Sequence, residues 1–252
     1  MRFLIHFSYD GSLFHGYQTQ PGYRTVQEEL ENAATKINNG VRVKVVASGR
    51  TDKKVHAYHQ VAHLDMNVSI SSKQVKRAMN RYLPCDIHVF EAEEVDSDFH
   101  ARYNVISKTY EYHLNMGEYN PIRRDYCYQH NYKLDIEAMK KAITYFIGTH
   151  DFRAFVTENS VKDNCIRTIT NASITLDDYY KDEIIFTFEG NGFLRYQVRN
   201  MVGLLIKVGT GKIDYKLVKE ILDSKVRGKY GTTAKAEGLY LKNIVLRSVN
   251  NF

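Results

Sequence analysis

Residues 41–65 read VRVKVVASGRTDKKVHAYHQVAHLD. Val41, Val43 and Val45 alternate with Arg42 and Lys44, the period-two pattern of a strand with one face buried. A polar loop, Ser48 to Lys54, then leads straight into a second extended run, Val55 to Asp65. Strand follows strand with no helix between them, which is not how a parallel sheet of βαβ units is wound.

Upstream, Phe3, Ile5 and Phe7 alternate in the same way and stop at the turn Asp10-Gly11. Thr25-Val26-Gln27-Glu28 has the spacing of a capping box. Val26, Leu30, Ala33, Ala34 and Ile37 then recur at helical period, and Asn39-Gly40 is a helix stop. Downstream, Ser71 and Gln74 open a second helix with Val75, Ala78, Met79 and Tyr82 on its apolar side. Ile87 to Val95 and Val105 to Asn115 read as strands.

The second half echoes the first. Asp135 to Ile147 is expected to be helical and to end at Gly148. Ile169 to Thr175 and Ile184 to Glu189 pair as a hairpin around Asp177-Asp178. Leu194 to Lys207 and Asp214 to Asp223 are helical, and Leu239 to Leu246 is a closing strand. These elements predict an α+β fold with helices covering one face of a largely antiparallel central sheet. Two pseudo-repeated halves, 1–105 and 106–252, are expected to share that sheet. The first carries the loop around residue 52, and the second completes the cleft.

Composition narrows the class. The chain of 252 residues is 43% hydrophobic and 25% charged, too apolar and too mixed in sign for disorder. A net charge of +6 suits a polyanionic partner. Cys85, Cys127 and Cys165 are odd in number and widely spaced, which argues against a disulfide framework and a zinc–thiolate site. No run approaches the roughly 18 apolar residues of a membrane span. The N-terminus lacks the apolar run of a signal peptide. A reduced, cytoplasmic, soluble protein is the expectation.

Taken alone, Asp52 is a loop aspartate, and such residues commonly bond nearby backbone amides. Its setting, Ser48-Gly49-Arg50-Thr51-Asp52-Lys53-Lys54-Val55-His56-Ala57, resembles the GRTDxGVHA motif of the TruA family of tRNA pseudouridine synthases. Further matches follow in order along the chain. They are Tyr9-Asp10-Gly11 with Gly16, Gln18 and Gln20; Thr25-Val26-Gln27; Gln60-Val61; Phe99-His100-Ala101-Arg102; and Tyr110-Glu111-Tyr112. Gly148 with Asp151, Phe152 and Phe155 comes next, then Phe193-Leu194 with Val198-Arg199-Asn200 and Gly203, and last Ala234 to Leu239.

The resemblance implies the pseudouridine synthase fold, isomerase activity on tRNA in the anticodon stem and loop, and a homodimer. It implies Asp52 as the nucleophilic carboxylate and Arg50 as the side chain that enters the RNA in place of the flipped base. It further implies that Tyr110 packs on the target uracil and that Arg199 pairs with the catalytic carboxylate. The reaction moves uracil from an N1–C1′ to a C5–C1′ bond without net oxidation, so no cofactor is expected. The carboxylate can attack C1′, stabilise its developing charge or deprotonate C2′, as in related glycosidic chemistry.

Four residues depart from the family pattern. Lys53-Lys54 replaces Ala-Gly, Tyr17 replaces tryptophan and Gln197 replaces methionine. Losing the glycine removes easy access to positive φ, so a changed loop path is expected. Lys53 and Lys54 are also candidates for gripping phosphates. So are Lys73, Lys76, Arg77 and Arg81 on the second helix, and Arg24, Arg102, Arg123 and Arg124.

Two rival readings fit parts of the sequence. His56, His59, His63 and Asp65 invite a metal, but His59 and His63 on one strand lie about 13 Å apart at roughly 3.3 Å per residue. A zinc ion with bonds of about 2 Å cannot bridge them, so no metal is expected. A non-catalytic or retargeted RNA-binding paralogue is the other, set against by the joint presence of Arg50, Asp52, Tyr110 and Arg199. Neither DNA nor a membrane is an expected partner.

Overall fold

The computed structural model describes residues 1–157, 164–226, 228 and 231–247. The elements run β1 (Arg2–Tyr9), α1 (Val26–Ile37), β2 (Val45–Ala47), β3 (His56–Asp65), α2 (Ser72–Tyr82), β4 (Ile87–Val95) and β5 (Val105–Asn115). They continue β6 (Tyr128–Gln129), α3 (Ile136–Ile143), β7 (Gly148–Asp151), β8 (Ile166–Leu176), β9 (Glu183–Gly190), α4 (Gln197–Gly209), α5 (Leu217–Ser224) and β10 (Leu239–Leu246). The fold is α+β, as the pattern predicts, and its strand pairing is mostly antiparallel. The chain forms two compact units, Met1–Ile106 with Tyr240–Phe252, and Ser107–Leu239.

In the first unit β1 lies between β4 and β3, antiparallel to both, and β2 and β10 pair with β3. Phe3, Leu4 and Ile5 are all inaccessible to solvent, so β1 is covered on both faces near its start. Each such side chain contributes about 1.5–3 kcal/mol of burial. β10 runs parallel to β3 with Tyr240 beside His56 and Leu241 beside Ala57. Helix α1 buries Val26, Leu30, Ala33 and Ala34, and α2 buries Val75 and Met79.

Two expectations fail here for physical reasons. Only Val45–Ala47 joins the sheet, because helix α1 takes the backbone before it: Asn38 Nδ2 donates to the Val41 carbonyl, and the Val43 and Val45 amides donate to Thr35 Oγ1 and Glu31 Oε1. Nor does Thr25 cap α1 with its side chain. The Val26 and Gln27 amides donate instead to the carbonyls of Gly16 and Tyr17, and the buried Thr25 hydroxyl has no hydrogen-bond partner. The capping box at Ser71 and Gln74 does form.

In the second unit β9 lies between β5 and β8, and β7 closes the edge beyond β8. The β8–β9 turn is fixed by Asp177, whose carboxylate accepts from the Tyr179 and Tyr180 amides. Asp135 caps α3 through the Ala138 amide. That helix gives way at Thr144–Phe146 to a tighter turn before Gly148, shorter than the pattern suggested. Phe146, Phe152, Phe155, Phe186 and Phe188 make up much of this unit's core.

Candidate active site

The loop between β2 and β3 is held from below by a buried polar truss. Ser48 Oγ donates to Gln60 Oε1 at 2.7 Å, and Gln60 Nε2 donates to the Gly49 carbonyl at 3.1 Å. The Tyr9 hydroxyl lies 2.8 Å from Thr51 Oγ1 and also bonds Gln60. Burial holds the Tyr9 phenol well above its ordinary pKa, so it stays protonated and able to donate.

The segment after β1 clamps the same loop from the side. The Tyr17 amide donates to the Thr51 carbonyl, and the Lys54 amide to the Phe14 carbonyl. A Cβ at Gly11 would collide with the Val55 carbonyl, and Gly16, at φ +96°, lets its backbone come close to Thr51 and Lys53. Between these supports Asp52 is partly exposed while Thr51 and Val55 are buried. Arg50 and Lys53 project into solvent on either side.

Lys54 sits at φ +65°. The loss of glycine therefore does not keep this residue out of positive φ: the lysine enters the left-handed region that glycine adopts freely. The cost for a residue with a Cβ is about 1–2 kcal/mol.

The nearby histidines go to separate partners. His56 Nδ1 accepts from the Gly11 amide, His59 contacts His6 and Asn243, and His63 Nδ1 accepts from the Ala101 amide. The described residues that approach a ligand geometry lie elsewhere, at His113, Asp177 and Glu183. There Arg123 already grips the Glu183 carboxylate with two bonds.

In the second unit Tyr110 stands on β5 opposite Phe188, part-exposed, with its ring edge-on to Phe193 at 5.1 Å. Arg199, in the first turn of α4, donates from Nε to the Ala234 carbonyl at 2.8 Å, and the Ala234 amide returns a bond to the Arg199 carbonyl. Its guanidinium lies 5.4 Å from the ring centre of Tyr196, which caps α4 at φ 63°. The buried Asn200 donates to the Phe155 carbonyl and accepts from Thr233. The Tyr112 hydroxyl donates to the Lys235 carbonyl. Four of the motif segments thus meet within this unit.

Arg50, Asp52, Lys53 and Lys54 share one loop; Tyr110 and Arg199 are set on β5 and α4. Two of the arginines considered for phosphate are already engaged, Arg24 by Glu29 and Asp86 and Arg123 by Glu183. Lys73, Arg77 and Arg81 remain exposed along α2. The Tyr9–Thr51–Gln60 truss was not foreseen. Tyr9 and Gln60 were both within matched motifs, but nothing in their spacing showed that they meet.

Comparison with known proteins bears on the family. Residues 5–104 and 142–245 match the family described as tRNA pseudouridine synthase. The chain is 44% identical over 246 residues to tRNA pseudouridine synthase A of Limosilactobacillus reuteri, covering 96% of each chain. It is equally similar, 44% over 245 residues, to the protein of that name from Streptococcus pyogenes serotype M49, covering 97% of this chain and 98% of the other. A solved Cbf5-Nop10-Gar1 complex has a chain that overlays 81% of this one and 54% of itself at 14% identity, with a TM-score of 0.32, too loose to bear on function. The match across both halves and the near full-length identity settle the family: the chain belongs to the tRNA pseudouridine synthases, in the TruA group whose motifs it carries.

Proposed function

We propose that this enzyme converts uridine to pseudouridine in the anticodon stem and loop of tRNA, with Asp52 as the reacting carboxylate. The observation that carries the reading is the Asp52 loop itself: a part-exposed carboxylate on a backbone clamped by Tyr9, Gln60, Phe14 and Tyr17, with exposed cations at Arg50 and Lys53. A group that must meet C1′ of one ribose benefits from being fixed in advance. The N1–C1′ bond breaks, C5 bonds to C1′, the C5 proton leaves and N1 gains one, so the product is an isomer.

A stacked uridine cannot reach the carboxylate and must be extruded, at a cost of a few kcal/mol. Arg50 is assigned to fill the vacated place, and Tyr110, part-exposed beside Phe193, to stack on the uracil, an interaction worth roughly 1–3 kcal/mol. Arg199 is assigned, by its motif, to orient the carboxylate and keep it ionised. Arginine suits that task because it holds its charge and binds a carboxylate with two donors. Lys53 and Lys54 are assigned to RNA phosphates. A homodimer working on tRNA in the cytoplasm follows from the same resemblance. No described helix is long and apolar enough to cross a membrane.

The test is nucleoside analysis of a tRNA transcript incubated with the pure protein. Pseudouridine is expected in the anticodon arm with wild type and none with Asp52→Asn, whose RNA affinity stays within a few-fold. Full activity in that variant would remove Asp52 from the chemistry.

A further inference from the structure

We propose that His15, Tyr23 and Lys53 form a nucleotide subsite beside the Asp52 loop. It would take an RNA nucleotide next to the target uridine, with the base on the Tyr23 ring and the phosphate on Lys53. The inference rests on the RNA-modifying reading above and adds to it a second point of contact.

The rings of His15 and Tyr23 are stacked, with centres 4.1 Å apart and planes at 26°. Tyr23 is 50% exposed, so the pair is an assembled two-ring stack open to solvent. A base continuing that stack would meet side chains already ordered, which lowers the entropic cost of binding. Lys53 Nζ lies 2.9 Å from His15 Nε2. An ammonium only donates, so His15 Nε2 is the acceptor in this bond. The bond fixes the Lys53 cation beside the rings, and among the described residues it forms no ion pair with a carboxylate. Its charge is available to a phosphate.

The rings are also fixed relative to the chemistry. The His15 amide donates to the Arg24 carbonyl at 2.9 Å, Gln20 Nε2 to the His15 carbonyl at 3.0 Å, and the Tyr23 amide to the Gln20 carbonyl at 3.2 Å. The same segment is tied to the Asp52 loop through Tyr17 to Thr51 and Lys54 to Phe14. Lys53 directly follows Asp52 in the chain. A nucleotide held on this platform is therefore one that neighbours the reacting one.

The experiment uses the full-length protein and an anticodon stem-loop RNA, intact or with an abasic site at each neighbour of the target uridine in turn. Affinity is read by fluorescence anisotropy, and folding of each variant by its melting curve. Tyr23→Ala is expected to weaken binding of intact RNA about 5- to 100-fold, and Tyr23→Phe to restore it. Lys53→Ala should reduce the slope of log Kd against log salt by about one.

At one neighbouring position the abasic RNA should cost wild type the same factor and cost Tyr23→Ala nothing more. Wild-type binding by Tyr23→Ala, or losses that multiply at every position, would overturn the subsite. Pseudouridine formation by wild type on the intact RNA is measured alongside, and its absence would fault the activity while leaving the coupling to judge the platform.

Discussion

The Tyr9 hydroxyl lies 2.8 Å from Thr51 Oγ1, one residue before Asp52 in the chain, and both groups are buried. Tyr9→Phe keeps the ring and deletes the bond, leaving the Thr51 hydroxyl without this partner. The expected cost is about 1–3 kcal/mol of stability. Because the bond supports the backbone that carries Asp52, turnover should fall several-fold with little change in KM. Denaturant midpoints and steady-state kinetics check the two parts separately, and unchanged turnover would show that the truss does not position Asp52.

Lys54 holds a left-handed conformation with a side chain that disfavours it. Lys54→Gly should relieve about 1–2 kcal/mol of strain and give back about 0.5–1 kcal/mol in unfolded-chain entropy. The net expectation is a gain of about 0.5–1 kcal/mol, visible as a melting temperature higher by about 1–4 °C. A lower melting temperature would mean that the lysine makes contacts worth more than the strain.

Two threonine and serine caps behave oppositely. Ser71 accepts from the Gln74 amide and, with the Gln74 side chain, completes the box at α2. Ser71→Ala should therefore cost about 1 kcal/mol. Thr25 is as well placed in sequence, yet its hydroxyl is buried without a partner. Thr25→Val should be neutral or stabilising. Urea midpoints of the two variants, compared with wild type, decide it.

The reading from sequence succeeded where one local pattern decides the structure. β4, β5 and β10 occupy the residues their alternation marks out, and Asn39 and Gly40 end α1 in left-handed conformations. It failed where distant groups took over. The strand expected at Val41 lost its backbone bonds to α1, and α4 starts at Gln197 rather than Leu194 because Tyr196 turns left-handed.

The candidate site was legible as motifs, since Asp52, Tyr110 and Arg199 are fixed by their order in the chain. Its supports were not. Tyr9 meets Thr51 at a separation of 42 positions, and Lys53 meets His15 at 38, and no periodicity reports such contacts.

His63 offers a pH test. Burial, with Arg2 and His100 nearby, holds its pKa down at about 4 against an ordinary 6.5, while Asp65 pulls the other way. The unfolded chain takes up this proton first, so the stability tied to neutral His63 is full above about pH 6.5 and is lost as pH falls toward 4. His63→Gln retains an acceptor for the Ala101 amide and should flatten that acid limb. Urea midpoints at about pH 7 and about pH 4.5 measure it, and equal slopes for both proteins would exclude His63 as the source.

The pairing of Tyr240 and Leu241 with His56 and Ala57 has a consequence for synthesis. The strand that leaves the Asp52 loop waits for residues made almost two hundred positions later, and Tyr240 then stacks on both His56 and Tyr58. A nascent chain still on the ribosome, or one cut short before residue 240, leaves that stretch of strand edge bare and prone to wrong pairing. Completion of the polypeptide is thus built into the maturation of the first unit, and a premature stop late in the message removes far more than a tail.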